Sequence, residues 1–169
     1  MQARPLGGTT ETVDSVDERV GARFVQRFSD AWQTCDPDAL ASLLTDDVVL
    51  RTPLMPVLEG RRAAREAFAR LFAMVPDLRA TVHRWAENDD VVFVEFTLHG
   101  TFGGREVSWP AVDRFLIRDG LAAERVSYFD SAPVAIQMLT RPRGWRRVLG
   151  SGFRPRLRAA SGARGGSHA

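Results

Sequence analysis

Lysine is absent: all 23 basic residues are arginine, which reads as the codon bias of a GC-rich genome rather than as a binding code. Cysteine occurs once, so a disulfide within one chain and a thiolate metal cluster are both excluded; Cys35 is expected to be a small buried hydrophobe near a helix end. The three histidines, His83, His99 and His168, are scattered without a fixed ligand spacing, and no metal site is expected. No apolar run approaches the roughly 20 residues of a membrane span, and the opening MQARPLGGTTETVDSVDE lacks the apolar centre of a secretory signal. A soluble, cytoplasmic protein is the expectation. Neither a Gly-rich phosphate loop nor a Ser-centred nucleophile motif is present.

What is there fits one globular domain: 169 residues, 44% hydrophobic and 26% charged, enough for a sizeable core. The net charge of +2 averages two unlike parts. Residues 1–140 hold all 21 acidic residues against 15 arginines, whereas 141–169 hold eight arginines and no acid. We divide the chain into a flexible start (1–15), a folded domain (16–140) and an Arg/Gly/Pro-rich, mostly disordered tail (141–169). Trp145, Val148, Leu149 and Phe153 suggest that part of the tail docks on the body. A basic arm for nucleic acid is the lesser reading, and no nucleic-acid partner is expected.

Val16, Val20, Phe24, Val25, Phe28, Ala31 and Trp32 recur at helical spacing, with Asp14 or Ser15 to cap the helix and Asp36-Pro37 to stop it. A short second helix runs from Pro37 to Leu44, with Leu40, Leu43 and Leu44 inward. Val48 to Leu50 open a strand that Pro53 and Pro56 end, and Gly60 to Met74 forms a third helix. Four strand-like runs follow, Leu78–Trp85, Asp90–Phe102, Glu106–Arg118 and Leu121–Asp130, divided by turn signals that include Gly103-Gly104 and Asp119-Gly120. A last short helix covers about Ala132 to Leu139. This order defines an α+β domain in which a cone-shaped, curved antiparallel sheet wraps over three N-terminal helices. Such cones hold small ligands.

Asp113 is the residue of greatest interest. If it faces inward with Trp109, Ala111, Phe115 and Ile117, it is a carboxylate on the apolar face of a sheet, either paired or functional. Burial raises the pKa of such a group and suits it to donate a proton. Alternation places Phe93, Glu95, Thr97 and His99 on one face of the longest strand, and Glu124, Val126, Tyr128 and Asp130 on one face of the last. His99 is a candidate proton relay or a plain structural histidine. Asp130 is a candidate acid or the cap of the helix that follows. Tyr128, the only tyrosine, is a candidate ligand-orienting phenol or packing residue. Trp32, Trp109, Phe28 and Phe72 serve as core and as the wall of any pocket, and their bulk favours a flat apolar ligand.

The phrases LLTDDVVLRTP, LEGRRAAREAFARLF, AVDRFLIRDG and VSYFD, at these separations, resemble the nuclear transport factor 2-like superfamily and its SnoaL-like branch over about residues 18–140. Within it, ketosteroid isomerases use a basic aspartate on the first strand, a tyrosine in the first helix and a protonated aspartate before the last hairpin turn. Here Thr52 and Phe28 replace the first two, and only Asp113 matches. Limonene epoxide hydrolases end in a similar YFD, which makes Asp130 the acid by comparison. The arginine and second aspartate of their triad fall on Thr97 and His99.

The resemblance implies a cofactor-independent enzyme of secondary metabolism that isomerises, cyclises or ring-opens a small apolar carbonyl- or epoxide-bearing compound, polyketide- or terpenoid-like. Asp113, His99 and Asp130 are its catalytic candidates. Tyr128, Trp109, Trp32, Phe28, Thr52, Thr97 and Phe72 are its substrate-binding candidates. The other reading is a non-catalytic ligand-binding or dimerisation module of the same fold. An open cavity reaching Asp113 favours the enzyme, and one plugged by Trp109, Phe28 and Phe72 favours the module. A homodimer is expected from the apolar outer face of the sheet.

Overall fold

Alternating inward residues on long strands need a helical layer to cover them, and the chain supplies it from its N-terminal half. The computed structural model describes residues 20–140 and Gly150. The elements run α1 (Val20–Thr34), α2 (Pro37–Ala41), β1 (Leu44–Arg51), β2 (Leu58–Glu59), α3 (Arg61–Met74), β3 (Arg79–Asn88), β4 (Val91–Phe102), β5 (Arg105–Arg118), β6 (Leu121–Tyr128) and α4 (Ser131–Leu139). One six-stranded sheet has the order β2-β1-β6-β5-β4-β3, with β1 and β6 parallel and every other pair antiparallel. This is the expected α+β architecture. The expected cap at Asp14 or Ser15, residue Val16, the 1–15 segment and the tail contacts of Trp145, Val148, Leu149 and Phe153 lie outside the described residues.

α1 buries Phe24, Val25, Phe28, Ala31 and Trp32 as its spacing predicts, but Val20 at its start is 44% exposed. Cys35 ends this helix at φ 52°, and Asp36 then caps α2 by accepting from the Asp38 backbone N–H at 2.9 Å. The Cys35 thiol, half-buried at this corner, donates to the Leu78 carbonyl at 3.1 Å. α2 is shorter than expected: Leu44 already belongs to β1, although Leu40, Leu43 and Leu44 all point inward. The hairpin turns fall where Gly and Asp predict, with Asp119 at φ 54° and Gly120 at φ 74°.

Register shifts at His83 on β3 and at Ala123 on β6, opposite Leu116 and Ile117 of β5, bend the sheet around the helices. Beside the second, the Ile117 N–H donates to the Asp90 carbonyl at 2.7 Å and carries the β4–β5 pairing one residue further. Inside the curve Phe28 is the hub: its ring meets those of Phe24, Trp32, Phe96 and Phe115 at centroid distances of 6.5, 6.2, 5.4 and 5.5 Å. The first pair is stacked and the other three are edge-to-face, and such pairs add to the stabilisation of the area they bury.

Phe28→Ala is therefore expected to lower the unfolding free energy by about 3–5 kcal/mol. Val57→Ala, at a side chain 52% exposed, should change it by no more than about 0.5 kcal/mol. Urea unfolding of the two variants measures both, and equal effects would remove Phe28 from the centre of the core.

Candidate active site

β5 alternates strictly: Val107, Trp109, Ala111, Asp113, Phe115 and Ile117 are buried, while Ser108, Pro110, Val112 and Arg118 are exposed. Asp113 is thus held on the apolar face by its neighbours' burial, and it is only 2% exposed. Directly across the ladder stands Ser127 of β6, also buried. Two pairs along, on the same face, Phe115 stands opposite Arg125, whose side chain is 12% exposed. Arg125 Nε lies 3.7 Å from Asp113 Oδ2, Arg125 Nη2 donates to Thr52 Oγ1 at 3.0 Å, and the guanidinium sits 5.7 Å above the Phe68 ring.

The polar groups here are incompletely paired. Asp113 Oδ1 and Arg125 Nε have no hydrogen-bond partner, and neither has Trp32 Nε1. At 3.7 Å the ion pair exceeds the roughly 2.7–3.2 Å of a hydrogen bond. Burial pushes the Asp113 carboxyl above the usual carboxylate range, against the opposing pull of Arg125 and of the Ser127 hydroxyl. A carboxyl whose charged form is disfavoured thus stands beside a permanent cation.

The other expected site residues separate from this cluster. Phe28, Trp32 and Phe72 line the interior, where Trp32 and Phe72 meet edge to face at 5.9 Å. Thr52 joins through Arg125. Trp109 faces inward, but four residues along β5 from Asp113 is about 13 Å, and it lines a different space with Phe102, Val107 and Val134. His99 is exposed and pairs in register with Ser108 on the outer face. Thr97 shares that face, where its hydroxyl meets His83 Nε2 at 2.8 Å. Tyr128 is 54% exposed and stands opposite the outward Val112. Asp130 is exposed, and its Oδ1 accepts from the Ala132 N–H at 3.0 Å as the cap of α4.

Corrections follow for two strands: the shared face of Phe93, Glu95, Thr97 and His99 is the outer one, and so is that of Glu124, Val126 and Tyr128. On β6 the inward places belong to Arg125 and Ser127, which alternation of apolar residues misplaces because the outward Val126 and Tyr128 are the more hydrophobic. Asp113 itself carries the missing signal, since a buried carboxylate calls for a cation on a neighbouring strand.

The interior is closed. Among the described residues, two spaces within it hold about 10 Å³ each, close to the room for one water. One lies beside Trp32 and Arg125 and the other beside Trp109. The wall that α2 forms over the first is held to α3 by the paired hydrogen bonds of Arg65 to Asp38, at 2.5 and 2.8 Å. Among the described residues no three His, Cys, Asp or Glu side chains converge as a metal cluster would require, and no helix is long and apolar enough to cross a membrane.

The model of the SnoaL-like domain matches residues 25–125, a span that takes in Phe28, Trp32, Asp113 and Arg125. The chain belongs to the SnoaL-like family. No curated protein matches this SnoaL-like chain. Among solved structures, it is similar to a protein of ketosteroid isomerase-like fold from Catenulispora acidiphila, in complex with trimethylamine, at 22% identity and TM-score 0.64 over 72% of this chain and 95% of that one. A candidate SnoaL-like polyketide cyclase from Jannaschia sp. CCS1 aligns at 23% identity and TM-score 0.64, covering 73% and 94%. An epoxide hydrolase of Mycobacterium tuberculosis resembling the limonene enzyme aligns at 23% identity and TM-score 0.59, covering 78% and 96%. At these identities the solved structures establish the fold.

The raised carboxyl has a measurable consequence. Between its ordinary pKa of 3.8 and its higher folded value, the folded chain keeps a proton that the unfolded chain has released, so stability falls as pH rises through that window. Asp113→Asn removes this titration and leaves the lowered carboxyls of Asp38, Asp47 and Asp77 common to both proteins. The wild type should therefore lose stability relative to Asp113→Asn as pH rises above about 4, levelling off beyond the folded pKa. Denaturation at a series of pH values measures the difference, and parallel profiles would show that Asp113 does not titrate differently on folding.

Proposed function

We propose that this SnoaL-like protein is an enzyme that isomerises, cyclises or ring-opens a small apolar compound bearing a carbonyl or epoxide, with its own side chains as acid and base. One observation carries the reading: Asp113 is a fully buried carboxylate with an unpaired oxygen, set in an aromatic interior beside Arg125. Protonated Asp113 gives its proton to the substrate oxygen, and the guanidinium of Arg125 steadies the carboxylate left behind. Ser127 and Thr52 fix the two partners. Arg125 and Ser127 thus take the supporting places in which His99 and Asp130 were expected. The polyketide cyclase candidate and the epoxide hydrolase among its structural relatives mark the range of chemistry this fold accommodates.

The closed interior speaks for a module without chemistry. Against it stand the buried, unpaired atoms of Trp32, Asp113 and Arg125, each costing about 1–3 kcal/mol when left unmade. A scaffold has no use for them. The exposed Arg65 and Asp38 pair that ties this wall to α3 is of a class worth about 0–1 kcal/mol, so the wall is held chiefly by the buried Leu40 and Leu43.

The same reading includes a homodimer through the outer sheet face, where Phe93, Val112 and Tyr128 are 41%, 37% and 54% exposed. Val112→Asp, at the middle of this patch, should shift a dimer to monomer in sedimentation equilibrium. A wild-type monomer would remove the dimer from the reading.

For the chemistry, a panel of small cyclic epoxides and aromatic ketones is screened with product detection by mass spectrometry. Asp113→Asn should reduce turnover of any accepted substrate by about 100-fold or more without lowering the melting temperature. Full activity in that variant would sink the assignment.

A further inference from the structure

The space beside Arg125 has a donor but no acceptor. Its walls are the rings of Phe28, Phe68 and Phe115 and leucines of α2 and β1, and Arg125 is the only charged residue lining it. Trp32 lines the same space, is 3% exposed, and its indole N–H reaches no acceptor. An indole nitrogen only donates, and a guanidinium stays protonated. Two residues that line one space thus each hold a buried N–H without an acceptor, Trp32 at Nε1 and Arg125 at Nε. Asp113 does not meet this need: it is not among the lining residues, and its nearest oxygen is 3.7 Å from Arg125 Nε, beyond hydrogen-bond reach.

We infer that Trp32 Nε1 and the Arg125 guanidinium form a receptor for one anionic oxygen on a flat, conjugated ligand, such as an aromatic carboxylate or phenolate. The chemistry of each part follows from the walls. The Arg125 cation, whose one buried counter-charge is Asp113 at 3.7 Å and outside this space, favours an anionic acceptor, because a poorly paired buried charge costs several kcal/mol. Two N–H donors select an acceptor oxygen and reject an ammonium or amide N–H. Aromatic rings on the walls select a planar body. The space of about 10 Å³ takes the oxygen alone, so the ring enters where α2 lifts from α3.

This deepens the function proposed above and rests on it for the location of the site, but it concerns binding rather than turnover. The test uses the full chain and two probes of equal shape, benzoate and the neutral benzamide, in calorimetric titrations. Benzoate should bind saturably and benzamide at least tenfold more weakly. Trp32→Phe and Arg125→Gln should each weaken benzoate at least fivefold. In the wild type, the indole N–H resonance that Trp32→Phe removes should shift on adding benzoate, which decides the matter if Arg125→Gln does not fold. No saturable benzoate binding, equal affinity for benzamide, or an unmoved Trp32 resonance overturns the inference. Asp113→Asn should still bind benzoate. Benzoate binding without turnover of any substrate would therefore leave this site standing while the catalytic reading fails, and Asp113-dependent turnover without benzoate binding would do the reverse.

Discussion

Two opposite charges held just too far apart, on adjacent strands inside an aromatic shell, set the terms for the rest of this structure. At an effective dielectric of about 20, unit charges some 4 Å apart attract by about 4 kcal/mol, whereas burying each ion costs several kcal/mol. The pair formed by Asp113 and Arg125, at 3.7 Å, therefore does not offset its own desolvation. The raised Asp113 carboxyl expresses this deficit, since giving up the charge is the cheaper course. Thr52 and the Phe68 ring hold Arg125 from one side and Ser127 faces Asp113 from the other. The surroundings position both groups without satisfying either.

That arrangement depends on the bulge at Ala123 of β6, opposite Leu116 and Ile117 of β5. With unbroken pairing from the Asp119-Gly120 turn, Ala122 and Glu124 would share the inward face. The shift between Leu116 and Ile117 instead brings Arg125 opposite Phe115 and Ser127 opposite Asp113. Glu124 is sent outward, where it meets Arg51 at 3.2 Å and also pairs with Arg114. One irregular residue thus decides which of two neighbouring charges enters the core. The strand would otherwise set a second carboxylate beside Asp113, and that repulsion would work against the fold.

This explains what was legible in the sequence. Helices with regular spacing, hairpins marked by Gly and Asp, and the strict alternation of β5 could all be read, because in each the hydrophobic pattern and the backbone period agree. Asp113 stood out for breaking that pattern on a strand otherwise faithful to it. β6 failed for the opposite reason: its apolar Val126 and Tyr128 face outward and its polar Arg125 and Ser127 face inward. A pattern reader assigns polar residues to water, so the partner of a buried charge is the residue it misplaces. The two-residue β2 and the early start of β1 were missed because they turn on pairing across the sheet: Val49 meets Glu59 and the Ala122 N–H donates to the Leu43 carbonyl at 2.8 Å.

The closed interior and the unpaired polar atoms are two sides of one design problem. Filling a curved sheet with Phe24, Phe28, Phe72, Phe96 and Phe115 gives the core its cohesion, yet the same rings surround polar groups that water would otherwise solvate. A core selected for stability alone would replace Asp113 and Arg125 by apolar residues of like volume, a change that is often neutral or stabilising. Retaining a carboxylate, a guanidinium and an indole N–H, each with an unpaired atom, therefore works against stability locally. The balance closes once a bound molecule brings the missing acceptor and takes up the proton. On this view the aromatic shell is the resting form of the pocket, stable because Phe28 joins four rings across it, and its thinnest wall is α2, only five residues long, which Leu40 and the Arg65–Asp38 pair hold in place.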